Sequence, residues 1–139
     1  EPREEVSWDY RTSLHSTRGH PMARLRAELE ARQVPDARTL NRMPTNRPVT
    51  YVGMVICRQR PGTASGVTFM TLEDETGLVN LVVWRQVYDK HEAIAKTAAV
   101  LEVDGKLQSE HGVVHLIADR LREPRVQDRS GLPRSRDFH

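Results

Sequence analysis

The sequence contains one cysteine, Cys57, in 139 residues. A single thiol closes no internal disulfide, so the fold is not a cystine framework, and a reducing cytoplasm suits it. One cysteine is also too few for a common structural zinc site, and the six histidines offer no pair at zinc spacing. His111 and His115 are four apart but straddle a turn and a strand, so no metal site is expected. Long apolar runs are lacking: nothing approaches the roughly 18 residues of a membrane helix, so no membrane partner is expected. The opening Glu1-Pro2-Arg3-Glu4-Glu5 has no apolar core of the kind a secretory signal needs. The absent initiator methionine reads as a fragment or a trimmed chain. Aromatic residues are only 5% of the chain. The glycine-rich stretch Gly62-Thr63-Ala64-Ser65-Gly66 has no lysine after it and is not a phosphate-binding P-loop. No serine–histidine–aspartate or cysteine–histidine constellation is in place; Ser13, His15, Ser16 and His20 are neighbours that nothing orients. No catalytic residue and no cofactor are expected.

Charge is present in both signs and unevenly placed. Residues 1–48 carry 9 basic and 7 acidic side chains, residues 49–121 carry 7 and 9, and residues 122–139 carry 5 and 3. The isoelectric point near 9.0 therefore belongs to the arms around an acidic centre. A basic protein of this size raises the prior for a nucleic-acid partner.

Periodicity divides the chain into four parts. Residues 1–19 show no sustained period and read as an extended arm. Residues 20–48 read as an amphipathic helix and linker. Pro21 sits where a missing N–H costs nothing, and Met22, Leu25 and Leu29 share one helical face. That face is expected to pack near the following domain and add to its core. The linker runs from Asn41 to Pro48. Residues 49–123 read as strands at Val49–Cys57, Val67–Leu72, Leu78–Trp84, Ala99–Leu107 and Val113–Leu121. A helix over Gln86–Ala95 interrupts them, with Val87, His91, Ile94 and Ala98 on one face. Gly53 suggests a bulge or bend in the first strand, and Asp104-Gly105 a break in the fourth. The order strand, strand, strand, helix, strand, strand predicts an all-β domain with accessory helices. This is a five-stranded Greek-key OB-fold barrel, whose closure removes exposed edges. Residues 124–139 read as a flexible basic tail whose removal after Glu123 would leave thermal stability nearly unchanged.

Glu73-Asp74-Glu75 is the densest carboxylate cluster in the sequence. Two-metal chemistry needs carboxylates held together, but three in a tight turn diverge, so a solvated turn capped by Asp74 is expected. Single-strand binders stack bases on aromatics standing on a sheet face. Tyr51, Phe69 and Trp84 fall in the first three strands, and alternation alone leaves open which of them point outward. Trp84 shares a face with Asn80 and Val82. Arg58 and Arg60 flank the loop between the first two strands. Both are expected at the surface, so reversing both charges should abolish binding and spare the fold.

Several runs together carry a specific resemblance: Val52-Gly53-Met54-Val55-Ile56-Cys57-Arg58-Gln59-Arg60-Pro61-Gly62-Thr63, Phe69-Met70-Thr71-Leu72-Glu73-Asp74-Glu75-Thr76-Gly77, Asn80-Leu81-Val82-Val83-Trp84 and Gly112-Val113-Val114-His115-Leu116-Ile117-Ala118. They resemble the C-terminal OB domain of bacterial C-family DNA polymerase alpha subunits, in the error-prone, damage-inducible branch. His20-Pro21-Met22 with Leu25, Arg26 and Leu29 resembles the helix before that barrel, and Ser135-Arg136-Asp137-Phe138-His139 resembles the family's C-terminus. The resemblance implies a parent that acts as a DNA-directed polymerase in translesion synthesis, with its catalytic carboxylates in a palm that this chain does not contain. It implies that this part binds single-stranded DNA and works with the remainder of the polymerase chain in the bacterial cytoplasm. The DNA-contacting set is expected to be Arg58, Arg60, Thr63, Ser65, Phe69, Trp84, Arg85 and Lys106. The alternative is a docking module for mutasome or replication proteins with only weak DNA contact.

Overall fold

In the computed structural model the described residues are the backbone of 5–8 and residues 20–60, 66–127 and 132–133. Strands are β1 (Glu5–Trp8), β2 (Pro48–Arg60), β3 (Thr68–Asp74), β4 (Gly77–Val83), β5 (Val100–Glu110) and β6 (Val113–Arg122). Helix α1 begins as a 3-10 turn at Pro21–Leu25 and continues as Arg26–Ala31; α2 is Ala37–Leu40, α3 Arg85–Lys90 and α4 Glu92–Thr97.

The sheet order β1-β2-β3-β4-β6-β5 closes through a β2–β5 pairing, so strands β2 to β6 form the expected five-stranded barrel. All these pairings are antiparallel except β4 with β6. Segment 5–8, inside the stretch read as an extended arm, adds a sixth strand against residues 57–60 of β2. It takes the β2 edge beyond Met54, where the pairing with β5 ends. The β5–β6 hairpin turns on His111 and Gly112, both at positive φ (54° and 78°). That two-residue geometry matches the twist of the flanking strands.

Alternation sorts side chains to two faces. Tyr51, Val55, Met70, Leu72, Val79, Leu81, Leu101, Val103, Leu107 and Leu116 fill the barrel. The outer residues Val52, Met54 and Val100 make a second cluster with Met22, Leu25, Leu29 and Val34. The helix face read from the sequence thus packs on the outside of the barrel. Helix α1 stops because Gln33 turns to φ 62°, with Gln33 N–H bonded to Glu30 O (2.9 Å) and Val34 N–H to Leu29 O (2.9 Å). This is a Schellman-type end, with Val34 and Leu29 in one apolar cluster.

Several local expectations need correction. Gly53 is not the bulge: the β2 irregularity lies between Val55 and Cys57, and a Cβ at Gly53 would meet the Tyr51 ring at 2.6 Å. Asp104-Gly105 does not break β5 but bulges it, and glycine is required at 105 since a Cβ there would collide with the Ile117 carbonyl oxygen. The predicted single helix after β4 is two, divided at His91.

The largest correction concerns the acidic turn. Asp74 is not solvated but 2% exposed. One carboxylate oxygen accepts from Thr76 N–H and Oγ1–H and from Gly77 N–H, as the capping expectation required. The other accepts from Ala37 N–H (2.7 Å), Tyr51 O–H (3.0 Å) and the Arg26 guanidinium (3.3 Å). Arg26 also grips Glu75 through two donors, and His20 Nε2 lies 2.9 Å from Glu73 Oε1. His20 Nδ1 accepts Met22 N–H, so the ring proton on Nε2 donates to Glu73. The cluster is the clasp between the β3–β4 turn and the segment 20–37.

Residues read as the start of a flexible tail are also tied down. Arg125 bonds Glu102, Gln127 N–H donates to Glu28 (2.6 Å), and Val126 and Leu132 pack on the outer apolar cluster.

Candidate nucleic-acid interface

Register places two rows of side chains across the outer wall formed by β3, β4 and β6. Gln59 pairs with Phe69, Phe69 with Val82, Val82 with Ile117, and Ile117 with Lys106. One step along, Cys57 pairs with Thr71, Thr71 with Asn80, Asn80 with His115, and His115 with Gln108. The first row is aromatic and aliphatic with a lysine at its end. The second is polar, with amide, hydroxyl and imidazole groups able to donate and accept.

On this wall Phe69 is 38% and Trp84 46% exposed. Tyr51 is fully buried, with its hydroxyl on Asp74; burial first, then the Asp74 charge, push that phenol well above its ordinary value. Of the three strand aromatics, two stand outward and one is core. Trp84 follows Val82 by two and so continues the same face, immediately before α3. Aromatic rings left this open on one sheet face are unusual for a monomer core and suit stacking. Leu78 and Val113, 49% and 44% exposed, lie further along the wall.

The basic residues of the expected set divide. Arg85 is exposed, 3.9 Å from Asp89, and its side chain lies against Gly66, where the β2–β3 loop returns. Lys106 is exposed at the end of the aromatic row. Arg60 is exposed and stacks on the Tyr88 ring, 4.5 Å from its centroid, which steadies the guanidinium while leaving it charged and accessible. Arg58 departs from the expectation. It pairs with Met70 on the inward side, and its guanidinium donates to Ala95 O (2.8 Å) and Ala98 O (2.6 Å). It closes the C-terminal end of α4, where orphan carbonyls and the helix dipole favour a cation. Thr63 and Ser65 lie outside the described residues.

The polar row Thr71, Asn80, His115 and Gln108 was missed from the sequence. Its signal was the period-2 alternation, which becomes usable only when the pairing of four strands is known. Among the described residues no group of three or more histidine, cysteine, aspartate or glutamate side chains is arranged to hold a metal ion.

Comparison with known proteins agrees with this geometry. Residues 49–124 match the family model described as an OB-fold nucleic acid binding domain. The error-prone DNA polymerase of Pseudomonas syringae pv. tomato (strain ATCC BAA-871 / DC3000) is 47% identical over 139 residues, covering 97% of this chain and 13% of that protein. Error-prone DNA polymerase 1 of Rhizobium meliloti (strain 1021) is 41% identical over 120 residues, covering 86% of this chain and 11% of that protein. The chain thus spans a small fraction of the length of these relatives. Asparaginyl-tRNA synthetase from Pyrococcus horikoshii shares the fold, with a TM-score of 0.56 at 17% identity over 70% of this chain and 24% of that one. With the closed five-stranded barrel, the outward aromatics and the family model in agreement, the chain belongs to the OB-fold nucleic acid binding domain family.

Proposed function

We propose that this chain is the single-stranded DNA-binding module of a bacterial error-prone DNA polymerase, serving translesion synthesis and repair in the cytoplasm. The observation that carries the reading is the pair Phe69 and Trp84, exposed on one barrel wall, with Arg85 next to Trp84, Lys106 at the end of the row and Arg60 on the strand end just beyond Gln59, the partner of Phe69. Bases stack on the rings, the polar row beside them meets base edges, and the three cations meet phosphates. The relatives' name supports the parent activity. The chain itself supplies positioning of the strand and no chemistry.

Titration of a labelled single-stranded oligonucleotide tests this. Phe69→Ala and Trp84→Ala are each expected to weaken binding by about 1–3 kcal/mol, the usual worth of one stacked base. Unchanged affinity in the double variant would remove the wall as the site. A second reading, docking of mutasome or replication proteins, is favoured by the exposed aliphatics Leu78 and Val113 on the same wall. Absence of wild-type DNA binding even at low salt would support it.

A further inference from the structure

A second concave surface lies where the start of β2, the β5 bulge and the end of β6 meet the C-terminal end of α1. It is a groove of about 710 Å³ lined by Arg32, Arg47, Arg120, Arg122 and Arg125, with Asp104 and Asp119 as the acidic residues of its lining. Three of the arginines are committed: Arg32, Arg122 and Arg125 converge on the buried Glu102 carboxylate, and Arg122 also on Asp104. Arg47 and Arg120 have no ion-pair or hydrogen-bond partner for their side chains among the described residues. Both are exposed. Backbone bonds hold Arg47 in place, with Leu107 N–H donating to Arg47 O (3.0 Å) and Asn46 N–H to Leu107 O (2.6 Å). The lining includes no aromatic side chain. It therefore offers fixed positive charge and hydrogen-bond donors but no surface on which a base stacks. Lys106 joins the two surfaces: it pairs with Pro48, which lines the groove, and with Ile117, which belongs to the aromatic row.

We infer that this groove is a sugar–phosphate track, on which Arg47 and Arg120 hold the backbone of a nucleic-acid strand that crosses Lys106 from the aromatic wall. The guanidinium fork matches a phosphate, and a lining with surplus arginine and no aromatic selects backbone over base. Binding there is independent of sequence. The inference extends the aromatic-wall reading but uses separate residues, so the two fail separately.

The discriminating probe is a labelled abasic sugar–phosphate oligomer, which has nothing to stack on Phe69 or Trp84. The wild-type chain should bind it at low salt with a log–log salt slope of about -2, from roughly -0.7 per contact at Arg47, Arg120 and Lys106. Arg47→Glu with Arg120→Glu should weaken that binding about tenfold or more, since each change removes one attraction and adds a repulsion. Phe69→Ala with Trp84→Ala should leave it within about twofold. Circular dichroism melting of the arginine variant should match wild type, because both side chains are exposed. No wild-type binding of the abasic strand, or equal binding by the arginine variant, overturns the track. If ordinary oligonucleotides still bind in that case, the aromatic wall survives alone. Tighter capture of polyglutamate than of the abasic strand, lost in the arginine variant, overturns the track in favour of an acidic protein segment.

Discussion

Glu102 shows how one residue on the outer face of a barrel comes to be fully buried while charged. Its carboxylate is covered by three guanidiniums and a backbone N–H from Arg125. Burial by itself raises a carboxyl pKa, but hydrogen bonds from Arg32, Arg125 and Arg122 outweigh it and hold Glu102 at about 2. A folded value below the unfolded one means the contribution is present above the ordinary glutamate range near 4.5 and is lost as pH falls toward about 2. Glu75 and Asp104 are displaced in the same direction: burial opposes the Arg26 hydrogen bond at Glu75 and loses, and Arg122 dominates at Asp104. Wild-type stability should therefore drop through that acid window, and Glu102→Gln should flatten the drop in melts taken from pH 6 to pH 2. Glu102→Ala at neutral pH leaves three crowded cations. Because those cations reach solvent, the expected loss is about 2 kcal/mol, below the roughly 3–5 of a fully enclosed pair. At Asp74 the same logic is more severe, since the carboxylate is sealed and serves six donors. Asp74→Ala should cost at least about 3 kcal/mol in denaturant melts, whereas Tyr51→Phe, which removes one donor of several, should cost about 1 kcal/mol.

Secondary elements here are secured largely by contacts outside themselves. Helix α1 is short, its 3-10 and α segments only five and six residues, and would not persist alone. Its Met22, Leu25 and Leu29 are at most 2% exposed, on a barrel wall that would otherwise present Val52, Met54 and Val100 to water. Val126 and Leu132 close the same cluster, and Arg125 completes the Glu102 shell. Truncation after Glu123 should therefore lower the melting temperature, by an amount equivalent to about 1–3 kcal/mol, where the sequence suggested almost no change. An unchanged melt would mean these tail contacts contribute nothing. Helix α4 depends on Arg58 in a comparable way. Arg58→Glu sets a carboxylate against two carbonyls and should destabilise the domain by about 2 kcal/mol, whereas Arg60→Glu should leave the melt within about 0.5 kcal/mol. Loss of DNA binding in an Arg58 variant would then report on folding and not on a phosphate contact.

At the scale of the whole molecule, the acidic centre and basic arms are not separate fields. Arg26 and His20 from the N-terminal segment cover Glu73, Asp74 and Glu75, and Arg32, Arg122 and Arg125 cover Glu102 and Asp104. Five carboxylates of the barrel thus hold the arms, while Asp89 lies beside Arg85 and Glu92 beside Lys96. On the proposed reading a strand on the aromatic wall would meet Arg85, Lys106 and, at the end of β2, Arg60. Three contacts predict a log–log salt slope of about -2 for an oligonucleotide short enough to occupy the wall alone. A slope near zero would mean that stacking acts without phosphate contact. Because the wall is read as a binding surface, primer extension with dNTPs and Mg²⁺ should stay at blank. Extension that survives repurification would overturn this; its loss in Asp74→Ala would not by itself assign catalysis to the clasp, because that change also destabilises the fold.

The barrel was legible in the sequence because its signals are local. Period-2 strands, the Glu73–Gly77 and His111–Gly112 turns and a 3.6-period patch between strands follow from side-chain alternation and turn chemistry, whatever the rest of the chain does. The Met22, Leu25 and Leu29 face was legible for the same reason. Which residues of those elements face solvent, and which charge meets which, was settled only by pairing and packing. Phe69 and Tyr51 lie in similar strands, yet register turns one outward and folds the other over Gly53 into the core. Arg58 and Arg60 are two apart, both basic and on one side of β2, but Arg58 meets the carbonyls at the end of α4 while Arg60, the last residue of the strand, lies exposed over Tyr88. The three carboxylates of the β3–β4 turn looked solvated because their partners, His20, Arg26 and Ala37, lie from 37 to 53 positions away in sequence. Contacts over such separations are chosen by closure of the barrel and docking of α1, and a linear pattern carries no trace of them.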